Sequence, residues 1–336
     1  MAGIKALRKI QLGREGTAGT AVAATAVWRG VGTIDDKRET VFPPEDVGYI
    51  SGLDRAYTPK LGAGLSMEDT PACFENVMHV FEAGIEEVGT GVADGSGSGK
   101  IYAYDLPTDT KRVVTDIKTY TIEGGDDAGA EEMEYAFVSD FKLSGKGGEA
   151  VMVSSEWVGR QVTPTTFGTG AVIPDVEEVL FSKGKLYIDN ADGTIGTTQA
   201  SETFLGMELS CKTGWQAVFT GDGATYFTFA KLAAPEVVLN ITFEHDATSI
   251  AEKAAWRAGT ARLLRLKFDG SALGTSGTSY AAKALVVDLA GKWEKFDKIG
   301  EQDGNDIVSG TFRARYNATA ALFAEITVVN EVASVP

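Results

Sequence analysis

Glu134-Tyr-Ala-Phe-Val-Ser-Asp-Phe-Lys-Leu143 alternates: Tyr135, Phe137, Phe141 and Leu143 fall on one parity, and Glu134, Asp140 and Lys142 on the other. A period of two marks a strand with one dry and one wet face. Residues 150–158 and 322–329 read similarly. Across the whole chain of 336 residues, 40 glycines and 9 prolines are spread without a short period, which means many turns and short segments. That composition favours a β-rich fold over a helical one. A hydrophobic content of 43% suffices for packed cores, and the length suits about two domains.

The charge is 31 cations against 47 carboxylates, a net of −16. Adhesion to free nucleic acid needs clustered cations, so the balance argues against it. No apolar run reaches the ~20 residues that span a bilayer, and residues 1–12 lack a signal-peptide core. The chain is therefore expected to be soluble and cytosolic at synthesis. Cys73 and Cys211 are expected to be buried thiols, since a reducing compartment disfavours their single conceivable bridge.

Catalytic and ligand-binding constellations are not evident. His79 and His245 are the only imidazoles and have no cysteine cluster near them in sequence, which speaks against zinc or histidine chemistry. Asp94-Gly-Ser-Gly-Ser-Gly-Lys100 fails the phosphate-loop spacing, with Asp94 at the first glycine position and Ile101 after the lysine. Asp189-Asn-Ala-Asp-Gly193 would put Ile188 at the first ligand of a calcium loop, so it reads as a turn. The Asn240 and Asn317 glycosylation patterns carry no weight without a secretion signal.

Internal repetition is the strongest signal. Lys9-Ile-Gln-Leu12 matches Lys185-Leu-Tyr-Ile188 at an offset of 176. Gly16-Thr-Ala-Gly-Thr20 matches Gly193-Thr-Ile-Gly-Thr197 at 177, and Leu65-Ser-Met-Glu68 matches Ile241-Thr-Phe-Glu244 at 176. Phe81, Ala83 and Gly84 match Trp256, Ala258 and Gly259 at 175. Further on, residues 100–105 correspond to 262–269 and residues 148–157 to 304–312, which makes 86–99 an insertion in the first copy.

Each copy has two strands, a long excursion, a returning strand, one helix and a final group of strands. In the first copy Thr70 and Pro71 suit the N-cap and first helical position, and Phe74, Val77, Met78 and Phe81 form an apolar stripe. In the second, Ser249 and Glu252 suit a capping box, Ile250, Ala254 and Trp256 a weaker stripe, and Gly259 the stop. The expected fold is α+β and β-rich: two tandem β-sandwich or barrel domains, each with one flanking helix. Residues 1–160 form the first, with a long loop at 35–64 and a flexible insertion at 86–99; residues 161–176 are a linker; residues 177–336 form the second.

The opening Lys9-Ile-Gln-Leu-Gly-Arg-Glu-Gly-Thr-Ala-Gly-Thr-Ala-Val-Ala-Ala-Thr25 resembles the start of the major tail tube proteins of long-tailed bacteriophages. The later order is similar too: an acidic, proline-containing excursion, the strand with Leu65-Ser-Met-Glu68, a short helix, and residues 138–159 ending Ser-Ser-Glu-Trp-Val-Gly. The resemblance covers nearly all of the first copy and, through the repeat, much of the second. It departs from the family's common single-domain pattern by having a second tube-like domain. It implies a non-enzymatic structural subunit of the virion tail, assembled in the host cytoplasm, with three chains making a pseudo-sixfold ring and rings stacking into a hollow tube. It also implies tape-measure, tail-tip and terminator proteins as partners, and double-stranded DNA as cargo that is not bound.

On that reading carboxylates lining the bore would repel passing phosphate. Polar-face candidates are Glu68, Glu134, Asp140, Glu156, Glu208, Glu244 and Glu325. The excursion at 35–64 is too long for an ordinary connection and carries Phe42, Pro43, Tyr49, Ile50 and Tyr57 among charges, a composition suited to contacts between stacked rings. Its counterpart at 212–236 reads as a hairpin turning at Gly221-Asp-Gly223, and adds Trp215 and Phe219 to the stacking candidates. The competing reading is a tail-tip or surface β protein that stacks host carbohydrate on those aromatics. A hydrolase using a carboxylate pair ranks last, because no spacing singles out an acid and a base. No cofactor, metal or membrane is called for.

Overall fold

The computed structural model describes residues 3–108 and 112–335. Strands dominate, and two α-helices occur among the described residues. Twelve strands carry the argument: β1 (Lys9–Arg14), β2 (Gly32–Asp36), β3 (Ala63–Pro71), β4 (Tyr120–Gly125), β5 (Ala130–Lys146) and β6 (Met152–Gly159) in the first half. In the second are β7 (Gly184–Asn190), β8 (Phe204–Lys212), β9 (Glu236–Glu244), β10 (Ala261–Ala272), β11 (Ala282–Phe296) and β12 (Asn305–Ala314).

The pairing in the first half runs β1, β4, β5, β6, β3, β2, every neighbour antiparallel. In the second half it runs β7, β10, β11, β12, β9, β8, again antiparallel. The halves then join edge to edge, β5 against β8, with Asp140 opposite Lys212 and Lys146 opposite Gly206. One sheet of eight strands results, in the order β2, β3, β6, β5, β8, β9, β12, β11.

Long strands β5 and β11 each serve two sets of partners. The start of β5 lies between β4 and Val162–Thr165, and its end pairs with β6. The start of β11 lies between β10 and Ala324–Asn330, and its end pairs with β12. Val162–Thr165 is thus a strand rather than part of a linker, and Val172 bonds to Thr25 and Val27.

A β-bulge interrupts each long strand, between Val138 and Asp140 in β5 and between Trp293 and Lys295 in β11. An extra residue reverses the parity of everything beyond it. The even alternation of residues 134–143 therefore does not put four aromatic and aliphatic side chains on one face. Phe141 and Leu143 enter the main core, whereas Tyr135 and Phe137 join a separate cluster with Trp215 and Phe227.

Taken as two copies, the halves keep the offset of 176 at their first strands. Matching the bulges of β5 and β11 sets Ala136 against Gly291; their partners Tyr120 and Arg262 follow, and then Arg14 and Asn190, at 190 − 14 = 176. The counterpart of Arg262 and its neighbours is thus β4 rather than residues 100–105, at 262 − 120 = 142, so the first half is 34 residues longer here (176 − 142). The extra segment is wider than 86–99 and includes Lys100–Asp105, which pairs with Ala324–Asn330 of the second half. Its Asp94 carboxylate accepts from the backbone of Ser279 and Tyr280 at 2.8 and 2.7 Å, tying it to the hairpin between β10 and β11.

Helix α1 is Met78–Gly84, so Thr70 and Pro71 belong to strand β3 and not to a helix start. Phe74, Val77, Met78 and Phe81 are nevertheless all in the core. Helix α2 is Ala247–Arg257, with Asp246 rather than Ser249 as the cap: the Asp246 carboxylate accepts from Ser249 N at 2.9 Å. Ile250 is exposed, so the buried side turns toward Ser249, Glu252 and Ala255; Gly259 ends the helix at φ +66°.

Each helix buries one glutamate. Glu82 pairs with Arg14 at 2.9 Å, and Glu252 with Arg262 at 3.0 Å and Trp293 Nε1 at 2.8 Å. Burial still raises the Glu82 pKa, with the Arg14 charge opposing it. His79 lies wholly inside, 3.1 Å from the Tyr120 hydroxyl, and burial lowers its pKa to about 3. Both cysteines are buried free thiols. No helix among the described residues is long and apolar enough to cross a membrane.

Candidate functional site

The eight-stranded sheet buries one face and leaves the other wet except around Phe137 and Val158, which pack with Trp215 and Phe227. Along β3, Leu65 and Met67 point into the core while Ser66 and Glu68 are exposed. Hydrogen-bonded registers carry this parity across the sheet: Ser66 lies opposite Glu156, Glu156 opposite Asp140, Asp140 opposite Lys212, Ser144 opposite Glu208, and Glu208 opposite Asn240. Glu68, Asp140, Glu156, Glu208 and Glu244 consequently share one wet surface. Ser66 Oγ donates to Glu156 at 2.6 Å.

Glu134 and Glu325 do not join it. Glu134 precedes the bulge, accepts from Gln161 Nε2 at 3.0 Å and is half-buried, which raises its pKa. Glu325 faces Asp288 and Asp105 across its strand neighbours; burial is the larger cause of its raised pKa, and those carboxylates add to it.

Cations are interleaved on the same surface. Lys142 pairs with Glu208 at 3.1 Å, Lys212 with Glu236 at 3.1 Å, and Arg313 with Glu236 and, at 2.7 Å, with Glu294. The hydrogen bond from Arg313 holds Glu294 below the ordinary carboxylate range. This surface is thus a mixed lattice of charges with carboxylates in excess, rather than a continuous acidic coat.

The sheet ends in two open edges. Among the described residues, β2 is paired on its β3 side alone, and the stretch from Trp293 through Gln302 is paired only toward β12. Each edge displays an oppositely charged pair two residues apart on the wet face, Asp35 with Lys37 at 2.5 Å and Lys295 with Asp297 at 3.4 Å. Sequence reading passed over both, although an acid and a base at i and i+2 of a strand is a visible pattern. Ile299 and Val31 are exposed at these edges.

Two hairpins project from matching places, between β2 and β3 and between β8 and β9. The first pairs Glu39–Val41 with Tyr57–Lys60 and carries a long tip. There Phe42, Tyr49 and Tyr57 are 71%, 68% and 53% exposed, Ile50 is fully exposed and Pro43 is half-buried. The second pairs Trp215–Val218 with Phe229–Leu232. It folds down onto the first half of the same chain: Trp215 and Phe227 are buried with Tyr135, Phe137 and Ile117. Trp215 therefore leaves the set of surface contacts, and Phe219 lies beneath Lys60 at 4.5 Å. Trp215 and Phe227 are thereby withdrawn from carbohydrate stacking, whereas Phe219 and Phe229 of the same hairpin are 42% and 43% exposed.

Arg160 fastens that hairpin. Its guanidinium donates to the backbone oxygens of Phe227 at 3.1 Å and Thr228 at 2.8 Å, and stacks on Tyr135 and Tyr226. No protein-family model matches the chain, and no curated protein aligns with it significantly.

Proposed function

We propose that the chain is a tandem duplication of a tail-tube-type unit and serves as the structural subunit of a phage tail tube, closing three to a ring and stacking into a hollow conduit for DNA. One observation carries the reading: the joint between β5 and β8 is a sheet continuation between two units of like order, and the outer edges left open belong to the same two strand types. Strand β11 repeats β5, bulge included, and β2 repeats β8. Open sheet edges invite pairing with another chain, and closure into a barrel removes them.

The internal joint supplies a register for the external one. Lys142 and Glu208 meet diagonally across it. The pair Phe137 and Val158 matches Lys292 and Arg313, an offset of 292 − 137 = 313 − 158 = 155. Gly32 opposite Met67 matches Met207 opposite Ile241, an offset of 207 − 32 = 175. Transposed by those offsets, Ile299 of one copy lies opposite Thr33 of the next. In that register Lys295 falls opposite Lys37 and Asp297 opposite Asp35, like charges that disfavour the joint, and each cation reaches an acid of the other strand only on a diagonal, Lys295 to Asp35 and Lys37 to Asp297. The wet face becomes the bore, where an excess of carboxylates keeps DNA from adhering while interleaved cations limit their mutual repulsion. The exposed first hairpin, with Phe42, Tyr49 and Ile50 at its tip, is left for contacts between copies.

A chain carrying Thr33→Cys and Ile299→Cys tests the joint, because the native thiols are buried. Mild oxidation should yield covalent dimers and trimers, with no ladder beyond three from isolated rings. A chain that stays uncross-linked at concentrations where the wild type assembles would overturn the proposed joint.

A further inference from the structure

We infer that the face formed by Lys292, Arg313 and Arg315 is the seat for the first hairpin of a neighbouring copy, residues 39–60. The inference rests on the ring reading above and deepens it. Within one chain, the second hairpin crosses the β5 to β8 joint and lies on the cross-strand pair Phe137 and Val158, clamped by Arg160. At the same offset of 155, that pair becomes Lys292 and Arg313, and Arg160 becomes Arg315. Both arginines follow their strands in the same way, Arg160 N donating to Glu134 O at 3.0 Å and Arg315 N to Ala290 O at 2.7 Å.

The difference lies in what covers them. Lys292 and Arg315 are exposed, and their side chains make no hydrogen bond or ion pair among the described residues; beside them Tyr316 is 53% exposed and a shallow cleft of about 300 Å³ opens. Arg313 already holds Glu236 and Glu294, so the patch is not purely cationic.

Charge and position both select the occupant. The apolar seat in the first half takes a hairpin with Trp215 and Phe227, whereas this basic seat fits the hairpin that carries Glu45, Asp46 and Asp54 against a single Arg55 in its tip. The reach is set by the internal example. There the tip of the second hairpin arrives at the base of the first, Leu61 N donating to Thr225 O at 2.9 Å. A neighbour joined through β2 places its first hairpin over β11 and β12 in the same manner. Arg315 then donates to the backbone oxygens just before Tyr57–Lys60, as Arg160 does just before Phe229–Leu232, with Asp54 beside Lys292.

Charge reversal separates this contact from the sheet joint. Lys292→Glu with Arg315→Glu, or Asp46→Lys with Asp54→Lys, should each weaken association measured by sedimentation velocity about tenfold or more, with unchanged melting. All four changes in one chain should restore assembly to near the wild-type level. Association that ignores the reversals, or a fourfold variant that melts normally yet assembles no better than either pair, would overturn the seat. If the Thr33→Cys, Ile299→Cys ladder still forms in that case, the sheet joint stands and only the seat fails. A wild-type chain that never associates would overturn both.

Discussion

The two hairpins occupy the same place in a like order of strands and meet opposite fates. The second is rich in aromatics, finds Tyr135 and Phe137 beneath it and is buried by its own chain. The first is rich in acids and prolines, finds no such surface and stands free. Loops in matching places are a fixed internal clasp and an exposed arm. The sheet shows a like contrast, since β5 and β8 are joined within the chain while β2 and the end of β11 are open edges. On the proposed ring reading, a subunit built this way is folded but incomplete.

The comparison can be broken most strongly at the clasp. Trp215→Ala empties a buried aromatic site and should cost about 3–5 kcal/mol in urea unfolding. Phe42→Ala on the arm should change stability by no more than about 0.5 kcal/mol, because the side chain is already in water. Equal costs at the two positions would contradict the contrast.

A smaller effect sharpens the difference between the seats. Arg313 stands where the first half has Val158, and its hydrogen bond depresses the Glu294 pKa. A carboxylate whose folded pKa lies below its unfolded value adds stability above the unfolded pKa and loses it as pH falls through the folded one. Arg313→Gln should therefore bring the Glu294 titration, followed by NMR, back up to the ordinary carboxylate range, with little change in overall stability because the group is in solvent. A titration that does not move would mean that Arg313 is not its partner.

Much of this contrast is legible in the residues. The β-rich class, the hairpin turning near Gly221 and Gly223, the helix stop at Gly259 and the sequence of strands all follow from turn chemistry and period. What was hidden is what periodicity cannot register. A bulge at Ser139 flips Phe137 away from Phe141 without any mark in composition. Glu134 and Glu325 match the other strand carboxylates in pattern and differ only in which sheet their strand segment serves. The burial of Trp215 depends on a surface built 80 residues earlier (215 − 135), as seen in its cluster with Tyr135. Arg160 was invisible because its partners are backbone oxygens.

The central claim is that this chain closes its open edges with copies of itself, three to a ring. Native mass spectrometry of the purified wild-type protein, over a range of concentrations, counts the chains in the smallest closed assembly. The account predicts a trimer and multiples of it. A persistent monomer, or a closed ring of six chains, would contradict it.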